Sequence, residues 1–206
     1  METNRFVVAG IGTEVGKTVA SAVLVEALQA DYWKPVQSGY PPDSDTETVR
    51  SLVSNTQSQF HPEVYRLREP LSPHAAAAAE GVLIDPARLQ VPETANRLLI
   101  ELAGGLMVPL TPTYLNIDWL EQLGYPVVLV TRNYLGSINH TLLSVEALRA
   151  RRIPIAGLVI NGPSVPATES VLLSYTGLPC LLRLADELHL TKETVKACAE
   201  QVRMIG

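Results

Sequence analysis

The chain is short of several things, and each shortage closes off a class of protein. It holds two cysteines in 206 residues, Cys180 and Cys198. They form neither a metal-type spacing nor a disulfide framework, which points to a reducing compartment. No stretch reaches the roughly 18 consecutive apolar residues of a membrane-spanning helix. The opening Met1-Glu2-Thr3-Asn4 lacks the plan of a secretory signal. Charged residues make up only 18% of the chain, and 21 acids against 16 bases leave a net charge of −5. That balance gives no general attraction to nucleic acid or to anionic membranes. Internal repeats and dividing linkers are missing too. What remains is a single soluble, cytoplasmic domain. At 206 residues and 47% hydrophobic it is large enough for one sizeable core and too apolar for disorder.

Apolar, β-rich runs recur at 6–9, 32–36, 64–67, 98–102, 127–131 and 156–160, with a further candidate at 179–182. Helical patterns fill most gaps, at 17–30, 45–54, 74–80, 117–123, 138–151, 168–175 and 192–202. Runs such as Val127-Val128-Leu129-Val130 lack polar alternation, as expected of strands buried on both faces. Strands separated by helices imply crossover connections. The expected fold is therefore α/β: one domain with a mostly parallel, about seven-stranded sheet flanked by helices on both faces. In such sheets ligands bind beyond the carboxyl ends of the strands.

The first strand–helix junction is the most informative. Phe6-Val7-Val8-Ala9 leads into Gly10-Ile11-Gly12-Thr13-Glu14-Val15-Gly16-Lys17-Thr18, and an Ala-rich apolar stretch follows. Strand, glycine-rich turn and helix in this order aim backbone N–H groups at one point, where the helix N-terminus adds partial positive charge. Lys17 would set a cation on the outer phosphates of a nucleoside triphosphate, and the Thr18 hydroxyl would reach Mg²⁺. The spacing is shifted: G-x-x-x-x-G-K-[ST] requires glycine at position 11, which is Ile11, with Gly10 and Gly12 on either side.

Other chemistry-bearing residues follow strands. Lys34 lies inside the apolar run Trp33-Lys34-Pro35-Val36, and Ser38-Gly39 then open a loop; a solvated strand-edge lysine is the bland alternative. Asp43 or Asp45 reads first as a helix cap and second as a Mg²⁺ ligand, since Mg²⁺ takes few carboxylates beside waters and phosphates. Glu101 terminates Leu98-Leu99-Ile100, the arrangement of a Walker B acid, and Ala103-Gly104-Gly105 after it permit close backbone approach to a ligand. Ser137 reads as the N-cap of a helix carrying Ile138, Leu142, Val145 and Leu148 on one side. Asn161 ends the sixth strand before Gly162, as a turn residue or an amide that reads a base.

Together these pieces resemble the dethiobiotin synthetase family of P-loop enzymes. The matching stretches are Gly12 through Thr18, Trp33 through Gly39, Ser44-Asp45, Glu69-Pro70-Leu71-Ser72-Pro73-His74, Glu101 with Ala103-Gly104-Gly105, Asp118-Trp119, Gly136-Ser137-Ile138-Asn139-His140 and Asn161. They span residues 5 to about 163. The displaced loop glycine is itself a trait of that family.

The resemblance implies an ATP-dependent, Mg²⁺-dependent cyclo-ligase of biotin biosynthesis. It would join 7,8-diaminononanoate, CO₂ (from bicarbonate) and ATP to give dethiobiotin, ADP and phosphate. It also implies roles. Lys17, Lys34 and Thr13 serve catalysis. Glu14, Val15, Gly16, Lys17, Thr18, Val19, Asp45, Glu101, Gly104 and Asn161 surround ATP. Thr18, Asp45 and Glu101 organise Mg²⁺. Ser38 and Gly105 contact the diamine, while Gly136, Ser137, Ile138 and Asn139 hold its carboxylate tail across a homodimer interface.

Three departures stand out. Gly12 replaces a common aspartate, Leu102 replaces a common glycine, and Leu182-Arg183-Leu184-Ala185-Asp186 lacks a proline and carries a cation. The main rival is a partitioning or positioning switch ATPase of the same broad group. Those carry a lysine early in the loop, in K-G-G-x-G-K-[ST], where this chain has Gly12. A fold-related amidoligase would not demand Lys34 and Ser38 in this spacing, and a non-catalytic nucleotide-binding module would not need both candidate Mg²⁺ acids.

Overall fold

The computed structural model describes residues 4–42, 44–185 and 189–203. Asp43 and Asp186 lie outside these. Along the chain run β1 (Arg5–Gly10), α1 (Lys17–Leu28), β2 (Asp31–Trp33), β3 (Val36–Ser38), α2 (Asp45–Leu52), β4 (Phe60–His61), β5 (Tyr65–Leu67) and α3 (Pro73–Ala79). After a short 3₁₀ turn (Pro86–Arg88) come β6 (Leu98–Gly105), β7 (Pro109–Thr111), β8 (Tyr114–Leu115), α4 (Asn116–Leu123), β9 (Val127–Arg132) and α5 (Ser137–Ala150). The chain continues with β10 (Ile155–Asn161), α6 (Pro166–Thr176), β11 (Cys180–Arg183) and α7 (Lys192–Ala199).

Seven strands form one sheet in the order β11-β10-β9-β1-β6-β2-β4, and every ladder in it is parallel. Successive residues of a strand face opposite sides, and β1 shows the consequence. Val7 and Ala9 join the core beside Trp119, Leu120, Val145 and Leu172, on the face covered by α4, α5 and α6. Phe6 and Val8 join the core beside Val23, Leu24, Val49 and Val195, on the face covered by α1, α2 and α7. The α1 helix is buried nearly all round, from Ala20 to Val25, because α2 and α7 pack over it. A helix enclosed in this way needs no polar stripe, which is why its sequence is apolar on every side.

The sheet places the site. The chain leaves β1 for β2 on one side, whereas from its neighbour β9 it leaves for β10 on the other. The carboxyl end of β1 is thus the point where strand order reverses, and there adjacent crossovers diverge to leave a crevice. The glycine-rich loop emerges at that point.

Three expectations change. The apolar run 32–36 is not one strand. It breaks at Lys34-Pro35 into β2, which joins the large sheet, and β3, which pairs instead with β5. Proline has no N–H to give a ladder, and the Pro35 carbonyl is spent on the Val64 and Tyr65 N–H groups. In consequence the expected strand at 64–67 sits in that small separate sheet, and the seventh strand of the main sheet is the two-residue β4. The strand expected to end near Glu101 continues to Gly105, so Glu101 lies within it. Finally, Ser137 is not the cap of α5. Gly136 takes that position at φ 103°, and Ser137 is buried in the first turn.

Candidate active site

A cavity of about 700 Å³ opens at the carboxyl edge of the sheet. The loop from β1 to α1 forms its floor. Gly16 sits at φ 92°, a region that penalises side chains, and a Cβ there would lie 2.2 Å from the Asn161 amide nitrogen. Glycine is required twice over at this position. Asn161 donates to the Val15 carbonyl at 3.0 Å, so the end of β10 holds the loop in place. Lys17 is buried and donates to the Gly12 carbonyl at 3.1 Å. Burial pulls its pKa below the ordinary lysine value, and the nearby positive charge of Lys34 pulls the same way against Glu101 and Asp45.

Beside Lys17 four elements bring charged and hydroxyl groups to one point. Thr18 and Ser21 are one turn apart on α1 and face the same way. Tyr32 and Lys34 are two residues apart on and just past β2, so they share a side of the sheet. Glu101 comes from β6, the neighbour of β2, and is completely buried. Ser21 Oγ and Tyr32 OH both donate to Glu101 Oε2, at 2.6 and 2.9 Å. Lys34 Nζ donates to Glu101 Oε1 at 3.3 Å and also pairs with Asp45 Oδ2. Thr18 Oγ1 lies 2.7 Å from Asp45 Oδ1 and 3.3 Å from Glu101 Oε1.

Asp45 is free for this duty because it is not the cap of α2. Ser44 is, accepting from the Glu47 N–H at 3.1 Å, while Gln37 Oε1 accepts the Asp45 N–H at 3.1 Å.

The electrostatics follow from that packing. Burial disfavours charge on Lys34, but Glu101 and Asp45 outweigh it and hold the pKa above the usual lysine value. Burial likewise works against charge on Asp45, and the Lys34 ammonium outweighs it, so the carboxyl is depressed. Burial and then the charges of Glu101 and Asp45 push Tyr32 well above its ordinary value. Lys34 is therefore a fixed positive charge rather than a proton carrier, and Tyr32 remains a donor.

The cavity lining takes in Thr13, Glu14, Gly16, Lys17, Thr18, Val19, Lys34, Ser38, Asp45, Glu101, Gly104 and Asn161. Val15 and Gly105 do not line it. Val15 is buried beneath the loop, and Gly105 packs against the Gly10 carbonyl and Gly12 Cα, where a Cβ would come within 3.4–3.5 Å. Gly136, Ser137, Ile138 and Asn139 lie at the N-terminus of α5, outside the cavity of this single chain.

A family model described as an AAA domain matches residues 4–194. The ATP-dependent dethiobiotin synthetase of Cytophaga hutchinsonii is 46% identical over 95% of both chains. That of Agrobacterium fabrum is 46% identical over 93% of this chain and 90% of its own length. The chain belongs to the ATP-dependent dethiobiotin synthetase family. Among solved structures, a ParA family ATPase from Chlorobium tepidum overlays with a TM-score of 0.59 at 13% identity, covering 96% of this chain and 90% of its own. A likeness that remote is one of fold alone.

Two of the departures from the dethiobiotin synthetase pattern turn out to be structurally benign. A Cβ on Gly12 would meet nothing within 4 Å, so the missing aspartate leaves open space. Leu102 points into the core rather than the cavity.

Two lining residues, Val108 and Arg132, escape sequence reasoning; Gln37 and Pro70-Leu71-Ser72-Pro73 lie in stretches that carry the family resemblance, and Leu184 in one that departs from it, without any role assigned to them. Ser21 and Tyr32 read as core residues in apolar stretches. Their signals were a hydroxyl one turn after Thr18 and a second polar group two residues before Lys34.

Proposed function

We propose that this chain carboxylates 7,8-diaminononanoate with CO₂ and closes the ureido ring of dethiobiotin at the expense of ATP. One substrate amine captures CO₂ as a carbamate. A carbamate oxygen attacks the γ-phosphate and ADP leaves. The second amine then attacks the carbonyl of the mixed anhydride, forms the ring and expels phosphate.

The observation that carries this reading is the convergence of Lys17, Lys34, Thr18, Asp45 and Glu101 over the glycine-rich loop. An anionic carbamate must approach an anionic triphosphate, and two buried lysines at the loop offset that repulsion. A unit charge about 4 Å from another contributes roughly 4 kcal/mol at a near-surface effective dielectric, so each lysine supplies a substantial part of the barrier lowering. Thr13 and Ser38 line the part of the cavity where the diamine and γ-phosphate would meet.

The donor set suits Mg²⁺: Thr18 Oγ1 and carboxylate oxygens of Asp45 and Glu101 are hard ligands within hydrogen-bond reach of one another. The Lys34 ammonium already seated between the two acids marks this as a cation-holding position. When bound, the ion would neutralise charge on the phosphate oxygens.

The chain acts as a homodimer in this reading, with Gly136, Ser137, Ile138 and Asn139 holding the substrate carboxylate of the partner site. Support comes from the apolar side chains around that helix start: Leu135 is fully exposed, Leu143 is 61% exposed and Tyr134 is 42% exposed. No helix among the described residues is long and apolar enough to cross a membrane, which accords with work in the cytoplasm.

The first test is coupling. Phosphate release from ATP is expected only when diaminononanoate and bicarbonate are both present. Equal release with either omitted would favour a switch ATPase.

A further inference from the structure

The cavity has two ends, and the walls of one are tied together by a cation, Arg183, that does not itself line the cavity. At the far end from Lys34, Asn161 ends β10 and Leu184-Ala185 follow β11. These two chain segments are the walls that would flank the base of a bound nucleotide. Between them, the Arg183 guanidinium donates to carbonyls on both sides of Asn161: Gly162 at 3.1 Å from each terminal nitrogen, and Ile160 at 3.4 Å. The same group donates to the Leu184 carbonyl at 2.7 Å. It thus ties one wall directly to the other.

The clamp is anchored from behind. Arg183 Nη2 pairs with Glu169 Oε1 at 3.0 Å. That oxygen also accepts from Asn133 Nδ2 at 2.8 Å and from the Val165 N–H at 3.1 Å. Asn133, itself buried, donates its backbone N–H to the Asn161 carbonyl at 3.0 Å and its amide to the Pro163 carbonyl at 2.9 Å. The carbonyls of 160, 161, 162, 163 and 184 are all held by this one network. A planar fork with several fixed donors can do this; a lysine point charge cannot.

We propose that Arg183 is a positioning residue for nucleobase selection: it fixes the spacing of the two walls that receive the base and leaves the phosphate end untouched. The proposal rests on the reading of the cavity as an ATP site. Because the walls are held by side chains rather than by ladder bonds alone, loosening the clamp lets them part and costs base contacts, while Lys17 keeps its own bond to the Gly12 carbonyl within the loop.

The test compares a ligand with a base to one without. Mg-ATP and Mg-tripolyphosphate are titrated calorimetrically into wild type, Arg183→Met and Glu169→Gln. Arg183→Met is expected to weaken ATP about tenfold, within the range of indirect positioning effects, with tripolyphosphate changed less than twofold. Preference for ATP over CTP should fall by a similar factor, and the loss in turnover should sit in KM rather than kcat. Glu169→Gln keeps the fork and should give a smaller shift of the same kind; it stands in if Arg183→Met does not fold. Equal weakening of ATP and tripolyphosphate, or no change in either, would overturn the proposal. Failure of the wild type to bind ATP at all would instead strike the functional reading beneath it.

Discussion

Replacing Lys34 or Lys17 by alanine is expected to lower turnover by about 10³-fold, the upper range for removing one preorganised charge from a transition state. The two lysines act at different points. Lys17 is held by the loop carbonyl of Gly12, where in the proposed reaction it would meet phosphate. Lys34 is held by Asp45 and Glu101, and its raised pKa keeps it charged throughout the working range. Lys17→Ala should retain the far-ultraviolet circular dichroism of the parent, whereas Lys34→Ala also takes the cation from the buried Glu101 and lowers stability, so its turnover is read below its own unfolding transition. Steady-state kinetics on folded protein measures the effect. Activity within tenfold of wild type in either variant would remove the electrostatic basis of the mechanism.

Glu101→Gln is expected to have the largest effect on stability, about 3 kcal/mol, at the lower end of the cost of breaking a buried ion pair. The lower end applies because Asp45 still pairs with Lys34. The carboxylate has no exposed surface and accepts from Ser21, Tyr32, Lys34 and Thr18. A carboxamide of the same shape turns one acceptor edge into a donor edge. Either Ser21 and Tyr32 or Lys34 and Thr18 then face an N–H group with no acceptor, and burial denies them water. Urea unfolding should show the midpoint falling with its slope unchanged. A midpoint shift worth less than about 0.5 kcal/mol, the scale of an ordinary surface change, would show that Glu101 is not the hub it appears in the geometry.

The central parts of this site were legible because local chemistry and position coincide there. Gly16-Lys17-Thr18 follows an apolar run, and a loop after a buried strand must lie at a sheet edge. Lys34 stood out by being charged inside an apolar run, and Glu101 by ending one. What escaped is set by packing at longer range. The break at Lys34-Pro35 was visible as a proline, but the destination of β3 depends on β5, more than twenty residues on. The two-residue β4 is too short to carry a period. Arg183 could be seen as an unexpected cation, yet its reach to Ile160 and Gly162 appears only once β10 and β11 lie side by side. Glycine rather than Ser137 caps α5 because the chain enters that helix at a positive φ, which a side chain would resist.

The most direct measurement is a mass spectrum of the product formed from diaminononanoate, labelled bicarbonate and ATP. A species heavier than the diamine by one CO₂ and lighter by one water, carrying the bicarbonate carbon and absent when any input is withheld, is the predicted result. ATP consumption with the diamine recovered unchanged would contradict the account.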